Sequence, residues 1–461
     1  MGGGAARSTA LIAGTAGADQ RILGMTREQR SAADDALFVG LDVGTSGCRA
    51  VAIDRAGCAR ALARSPIDAP LRPAPGWCEQ DPEVWWQAVL GTLRRLGAEL
   101  PKGRPACICL DATSATLLLA APDGAPAGPA LLYSDRRAAP EAALIDRAAP
   151  PDSPARGPTS SLAKLLHLQG RFVAHRRLLA LHQADWILGR LTGRYGVSDW
   201  NNALKLGYDA ERLGWPDWVR DLIPGDILLP EVLRPGAPVG PLAEAVAAEL
   251  GWSPATRVLA GTTDSTAAVM AAGAGAPGDA VTCLGSTLVL KIVAARPVTA
   301  SAYGVYSHRL GESWLVGGAS NSGGAVLRRY FSDQEIASLS LAIDPERPSG
   351  LDYYPLPAPG ERFPRHDPDL APRLAPRPAD PSRFLHGLLE GITRIEAEGY
   401  ARLAELGAPP PRRVLSIGGG ALNPTWTRLR ARILGIPVLP AEHQDAAYGA
   451  ALLGRARCGA R

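Results

Sequence analysis

The chain has 461 residues, 46% of them hydrophobic, and a formal charge of +4 dispersed along its length. That length supplies two or three domains with full cores and excludes one small domain; the weak, scattered charge argues against nucleic acid as a partner, and no uninterrupted apolar stretch approaches a membrane span, so no membrane partner is expected. Seven cysteines (48, 58, 78, 107, 109, 283 and 458) form an odd set without a Cys-x-x-Cys pair, which fits neither a disulfide framework nor a zinc site and points to reduced thiols in the cytoplasm.

Residues 1–36 are rich in Ala, Gly, Ser and Arg and lack periodicity, which predicts a disordered extension. Met25 is an alternative start, and a targeting peptide is the less favoured reading because Asp19, Glu28, Asp34 and Asp35 are more acid than transit peptides carry. Residues 37–57 read as strand, turn and strand: Phe38, Leu41 and Val43 lead to Asp42 and Gly44, and Cys48, Ala50 and Ala52 alternate with Arg49, Val51 and Ile53 on the return. Asp81 as N-cap, Pro82 at the first helical position and Glu83 in the first turn open a helix with an apolar face at Trp85, Val89, Leu93 and Leu96. Ala106 to Leu110 form a short buried strand that runs into Asp111-Ala112-Thr113-Ser114-Ala115-Thr116, another strand and the turn Pro122-Asp123-Gly124. Leucine spacing predicts helix over 161–193.

Val258 to Gly261 form a strand ending at Thr262-Thr263-Asp264, and a small-residue helix continues through Ala274. A second strand–turn–strand unit follows over 280–291, with Gly285-Ser286-Thr287 where the first has Gly44-Thr45-Ser46. That echo predicts two halves of related build facing each other, divided near residue 272. Residues 345–381 are Pro-rich and predict an extended surface loop. A long helix is expected at 382–406, then Val414 to Gly420 as strand and glycine turn, and Asn423-Pro424 cap a helix that Gly435-Ile436-Pro437 stops. Lysine occurs only at 102, 164, 205 and 291, which together with the abundance of alanine reads as compositional bias.

Chemistry concentrates at the strand ends. The Gly44–Gly47 turn lacks both the Gly-x-Gly-x-x-Gly of a dinucleotide fold and the Gly-Lys-Ser/Thr of a P-loop, yet its backbone N–H groups can cradle phosphate oxygens and Asp42 can hold magnesium beside them. Three such turns, at 44–47, 285–287 and 418–420, are what a triphosphate clamped between two domains and a nucleoside approached flatly require. Asp264 is the candidate base, because an alcohol needs a carboxylate to orient its hydroxyl and take its proton during phosphoryl transfer. The hydroxyls after Asp111 suit a polyol. Taken singly, each feature has a plainer reading: an ordinary hairpin, a helix-entry turn, a helix cap at Asp264, and a Thr/Ser turn satisfying its own backbone. Neither a Gly-x-Ser-x-Gly elbow nor a His-Glu-x-x-His is present, so hydrolase readings lack support.

The first hairpin resembles the phosphate turn of the actin, sugar kinase and Hsp70 group of ATPases, and from 37 to 457 the chain resembles the FGGY carbohydrate kinases. Asp42-Val43-Gly44-Thr45-Ser46, Gly76-Trp77-Cys78-Glu79-Gln80-Asp81-Pro82, Tyr133-Ser134-Asp135-Arg136-Arg137-Ala138, Gly261-Thr262-Thr263-Asp264, Leu284-Gly285-Ser286-Thr287, Gly360-Glu361-Arg362-Phe363-Pro364, Leu389-Glu390-Gly391-Ile392, Gly418-Gly419-Gly420 and Tyr448-Gly449-Ala450-Ala451-Leu452 carry the likeness in order and spacing. The resemblance implies an α/β fold of two actin-like, ribonuclease H-like domains closing on MgATP and a sugar: 37–272 on the sugar and phosphate side, 273–439 on the nucleotide side, and 440–461 packing back on the first. It implies ATP and Mg2+ as cofactors, Asp264 as base and sugar contact, Asp42 as the magnesium-side acid near the substrate, and Ser114 on the sugar. Thr45, Ser46, Gly285, Ser286 and Thr287 would meet phosphates, and Gly419, Gly420 and Asn423 the nucleoside.

Departures from the family pattern bear on the sugar. Ala112-Thr113-Ser114 stands where xylulokinases resemble Met-His-Gly, and Thr263-Asp264-Ser265 where they have Gly-Asp-Asn. The Asp-x-Thr-Ser-Ala-Thr segment, the short length and Tyr353-Tyr354-Pro355-Leu356-Pro357 look like the branch that phosphorylates D-ribulose, while Arg432 stands where many members carry Asp. The expected activity is therefore an ATP-dependent ketopentose kinase making D-ribulose 5-phosphate, in the cytoplasm, with a homodimer left open. D-xylulose or another polyol as acceptor is the alternative within the family. Outside it stand a non-catalytic sugar or nucleotide sensor and a filament-forming or chaperone-like ATPase.

Overall fold

The computed structural model describes residues 36–100, 105–172, 177–223 and 225–459; of the expected N-terminal extension only Ala36 falls within them. The described strands form four sheets, two of six strands, one of five and one of two, and the two six-stranded sheets position the candidate site. The first comprises β1 (Leu37–Val43), β2 (Gly47–Ile53), β3 (Ala59–Pro66), β4 (Pro105–Ala112), β5 (Pro238–Pro241) and β6 (Arg257–Thr263), in the order β5-β6-β4-β1-β2-β3. The second comprises β7 (Asp279–Leu284), β8 (Leu288–Ala294), β9 (Tyr306–Leu310), β10 (Ser313–Ser320), β11 (Arg413–Ile417) and β12 (Val438–Pro440), in the order β9-β10-β8-β7-β11-β12. In both, a hairpin strand lies at the centre with its antiparallel return on one side and a parallel strand on the other: β2 and β4 flank β1, and β8 and β11 flank β7. The echo between residues 37–53 and 280–291 is thus an echo of topology as well as of residues.

Helices cover both faces, which is why the central strands are apolar along their whole length rather than alternating. The helix α1 (Pro82–Glu99) starts on the Asp81 cap, whose side chain accepts from the Glu83 N–H. It packs Trp85, Val89 and Leu93 on Val39, Leu41 and Val43. A short helix, α2 (Asp264–Ala271), leaves β6, and the long α3 (Pro381–Glu405) covers the second sheet with Leu385, Leu388, Leu389 and Ile392. The helix α4 (Pro424–Leu434) follows β11, and α5 (Ala446–Cys458) returns to lay Ala447 and Ala451 against Phe38, Cys107 and Cys109 of the first sheet. At Gly40 an added Cβ would stand 1.8 Å from the Ala447 carbonyl oxygen, so a bare backbone lets α5 lie this close to β1.

Three expectations about elements are corrected. Residues 161–193 are not continuous helix: Ser161–Phe172 and Gln183–Thr192 are helical, and Leu178–His182 between them is a buried strand paired antiparallel with Leu117–Ala120. A short run buried on all sides carries no period that separates helix from strand. Residues 345–381 are irregular as expected but not a surface loop, because Leu351, Tyr353, Tyr354, Leu356, Glu361 and Phe363 are buried. The segment lies on α3 where that helix is bare; a Cβ at Gly387 would sit 2.8 Å from the Tyr353 ring. The α2 helix also stops at Ala271, short of the expected Ala274.

Candidate active site

The register of three parallel strands sets the acid floor of the site. Asp42 at the end of β1 lies opposite Asp111 on β4, and Asp111 lies opposite Thr262 on β6, two residues before Asp264. Asp42 is buried, with Arg49 Nη1 3.4 Å from its Oδ2. Burial first, then the charges of Asp264 and Asp445, push its pKa up to about 6 despite Arg49. Asp111 is fully buried, and no N–H or hydroxyl donor among the described residues reaches either carboxylate oxygen. Burial and the charges of Asp42 and Asp264 push it well above the ordinary carboxylate value, so the neighbouring carboxyls share a proton rather than hold two bare charges.

A stability effect follows with a definite sign. These folded-state values lie above the unfolded value near 3.8, so the stability the groups contribute is complete below about pH 4 and is lost as pH rises, for Asp42 through about 6. Asp111→Asn is expected to raise the melting temperature of the unliganded protein at pH 8 by a few degrees, with a smaller gain at pH 5. Melts of both proteins at the two pH values check this, and a variant less stable than wild type at pH 8 contradicts it.

Above the acids, the Gly44–Gly47 turn closes with the Gly44 N–H donating to the Gly47 carbonyl at 3.0 Å. Its Thr45 is half-buried and its Ser46 exposed, and the Ser46 carbonyl is fixed by the Ile67 N–H at 3.1 Å. Asp264 is not a helix cap. Thr263 occupies the N-cap, Asp264 is the first helical residue, and the one hydrogen bond to its carboxylate among the described residues comes from the Ser265 N–H, 2.5 Å from Oδ1. Among the described residues no hydrogen bond reaches Oδ2. Burial raises the Asp264 pKa, against the Ser265 N–H and the charges of Lys205 and Lys291.

Ser114 stands in the turn after β4, next to Ala115 in the left-handed region at φ 66°. Thr113 and Thr116 bond each other at 2.7 Å, and Thr113 also bonds Gln183 at 2.7 Å, so only the Ser114 hydroxyl is left without a partner. Lys164 braces this turn, donating to the Ala115 and Thr159 carbonyls at 2.7 and 2.8 Å.

On the second sheet, the Gly285 and Ser286 carbonyls accept from the Gly324 and Ala325 N–H groups at 2.9 and 3.0 Å, and the Ser286 hydroxyl accepts from Arg328 Nη2 at 2.9 Å. The Gly285–Thr287 turn therefore faces the cleft on a fixed backing; Ser286 is exposed and Thr287 half-buried. The glycine turn after β11 is packed directly behind it, since a Cβ at Gly418 would lie 2.9 Å from the Leu284 carbonyl. Gly419 opens onto free space, which fits a flat ligand, whereas Gly420 is required by packing, with Leu284 and Trp426 2.7 Å from its absent Cβ. The Asn423 side chain is already engaged: its oxygen caps α4 through the Trp426 N–H and its nitrogen donates to Ser340. What Asn423 offers a ligand is backbone. Arg432 is fastened to Glu390 at 2.5 Å and to the Pro345 carbonyl at 2.7 Å.

The site residues thus form two groups, acids and Ser114 at the strand ends of the first sheet and glycine turns at those of the second. Among the described residues no hydrogen bond joins the Gly44–Gly47 turn to the Gly285–Thr287 turn. Magnesium fits the first group in the manner of a nucleotide-borne ion, which needs one or two carboxylates beside phosphate oxygens; Asp42 with the orphaned oxygens of Asp111 supplies them. Sequence reasoning read Asp111 only as the head of a hydroxyl-bearing turn at a strand end, and passed over Asp445, whose charge reaches Asp42, and Lys205 and Lys291, whose charges reach Asp264.

Residues 37–271 match the FGGY family of carbohydrate kinases, N-terminal domain, and residues 280–457 match its C-terminal domain. The chain is 27% identical over 431 residues to the xylulose kinase of Escherichia coli (strain K12), covering 87% of this chain and 85% of that protein. It is 24% identical over 460 residues to the gluconokinase of Bacillus subtilis (strain 168), covering 90% and 86%. Among solved structures, a xyloylose kinase from Brucella ovis superposes with a TM-score of 0.83 at 26% identity, covering 92% of this chain and 91% of that one.

Proposed function

The chain belongs to the FGGY family of carbohydrate kinases, and from that premise we propose that it transfers the γ-phosphoryl group of ATP to D-ribulose, giving D-ribulose 5-phosphate. The observation that carries this reading is Asp264: a half-buried carboxylate at the head of α2, tethered through Oδ1, with no hydrogen bond to Oδ2 among the described residues. Asp264 orients the terminal hydroxyl and takes its proton as the O–P bond forms. Ser114 supports the choice of a polyol, since its hydroxyl has no partner among the described residues.

Thr45 and Ser46 from one side, and Gly285, Ser286 and Thr287 from the other, hold the phosphates; Gly419 admits the nucleoside, Gly420 keeps that turn packed on Leu284 and Trp426, and the backbone at Asn423 closes its edge. Magnesium bound with the nucleotide shields phosphate charge, and Asp42 is the residue that would hold it. Closure of the domains, 37–272 with 440–461 against 273–439, would bring both phosphate turns onto one nucleotide and exclude the water that would otherwise hydrolyse ATP. Among the described residues no helix is long and apolar enough to cross a membrane, and none of the seven cysteines is in a disulfide; the thiols support a cytoplasmic setting. Carbon and phosphorus NMR of the product tests the reading. Phosphorus coupled to carbon 5 of D-ribulose is expected, and phosphate on another carbon contradicts it.

A further inference from the structure

Lysine makes up only four of the 49 Lys and Arg residues, yet three of the four are near enough for Lys205 to act on the charges of both Lys164 and Lys291. Besides Lys164 under the Ser114 turn, Lys205 on the 3₁₀ turn Ala203–Leu206 and Lys291 on β8 approach the same tyrosine from the two halves of the molecule. Their Nζ atoms lie 5.2 and 5.7 Å from the centroid of the Tyr306 ring. The sheet is shaped for this. Lys291, Gly317 and Tyr306 stand in one row across β8, β10 and β9, and a Cβ at 317 would come within 2.8 Å of Lys291 Nζ, so the glycine is the notch in which the ammonium rests. In the next row on that face, His308 is buried with both ring nitrogens unpartnered, its ring 5.3 Å from that of Tyr306. No ion pair among the described residues involves a lysine; the groups whose charge answers both are the Tyr306 hydroxyl, which Lys205 also hydrogen-bonds, and then Asp264.

In a chain that otherwise uses arginine, lysine here is a chemical choice. Guanidinium demands a planar, fork-shaped acceptor, whereas ammonium is a compact donor suited to a single oxygen. Lys291 is four residues past Thr287, about 13 Å along an extended strand, which sets it toward the acceptor end of the cleft rather than at the phosphates. A pentulose phosphorylated on its terminal hydroxyl must be held open-chain, because closing the furanose ring consumes that hydroxyl. Its ketone is then free, and a buried sp2 oxygen needs a donor.

We propose that Lys205 and Lys291 are specificity-determining residues that receive an sp2 oxygen of the acceptor, the ketone of an open-chain ketose or the carboxylate of an aldonate. That oxygen lies at the end remote from the hydroxyl Asp264 orients. The proposal rests on the sugar-kinase reading and names the class of acceptor.

The test measures kcat/KM for D-ribulose, D-gluconate and ribitol, which lacks a carbonyl, in wild type, Lys205→Met, Lys291→Met and Gly317→Ala. Wild type is expected to favour D-ribulose or D-gluconate over ribitol by about 10²-fold, as when a site built for a polar group meets an analogue without it; which of the two is favoured identifies ketone or carboxylate. Each lysine variant is expected to lower that ratio by about 10-fold or more, mainly through KM, and Gly317→Ala to lower it with both lysines present, so that one misfolded variant does not decide the outcome. Melts with ADP confirm that each variant folds. A wild type indifferent to the carbonyl, or variants that slow all three acceptors by one common factor, would overturn the lysine assignment alone. No acceptor-dependent ADP release with any compound would overturn the kinase reading and the assignment with it.

Discussion

Asp264→Asn is expected to lower kcat for sugar phosphorylation by about 10²–10⁴-fold, the range over which general base catalysis contributes, while nucleotide affinity stays within a few-fold of wild type. An amide keeps the size of the side chain and can still accept a hydrogen bond from the hydroxyl, but it cannot take the proton. The phosphate turns lie on other elements, so ADP binding measured by calorimetry serves as the control, and near-normal turnover would remove Asp264 from the role. The pH profile carries a second signature. Burial raises the Asp264 pKa, so kcat/KM falls on acidification through a limb lying above the ordinary carboxylate range, and the Asn variant lacks that limb.

Arg430→Met is expected to cost about 3–5 kcal/mol of stability, the range for breaking one side of a buried ion pair. Arg430 is fully buried, with Nε and Nη2 on the Glu396 carboxylate at 2.7 and 2.6 Å and Nη1 on Ser416 at 2.7 Å; Glu396 also accepts from Thr282 at 2.6 Å. The network ties α3 and α4 to β7 and β11, the two strands that end in the nucleotide-side turns. Removing the guanidinium strands a carboxylate in the core, whereas removing both charges does not. The double variant Arg430→Met/Glu396→Leu is therefore expected to regain at least half of the loss. Denaturant titration of the three proteins measures this, and a single variant within about 1 kcal/mol of wild type would show that water reaches Glu396.

Much of the fold was legible because its signals are local. The hairpin at 37–53, the Asp81 cap, the Gly285–Thr287 echo and the Asn423 cap are each specified by residues a few positions apart, and each stands in the structure where its pattern put it. What escaped depends on partners distant in the chain. The strand Leu178–His182 is defined by pairing with Leu117–Ala120, and the burial of Tyr353 and Phe363 by the bare face of α3. The site divides the same way. Asp42, Asp264 and Ser114 end strands and could be read off the chain, while Asp111 looked like the start of a turn until parallel register set it beside Asp42. Lys205 and Lys291 lie 86 residues apart in sequence, and their rarity was read as composition; that both approach Tyr306 is set by the fold. Asn423 shows the reverse: its motif was read for a ligand, and its side chain serves the helix it caps.

The measurement that bears most directly on the account is ADP release from MgATP by the full chain, with D-ribulose, D-xylulose, L-ribulose, D-gluconate and glycerol offered separately. Release that depends on D-ribulose, with kcat/KM above that for every other compound, is the predicted result. Comparable rates on several acceptors, or no release above the sugar-free background, would contradict it.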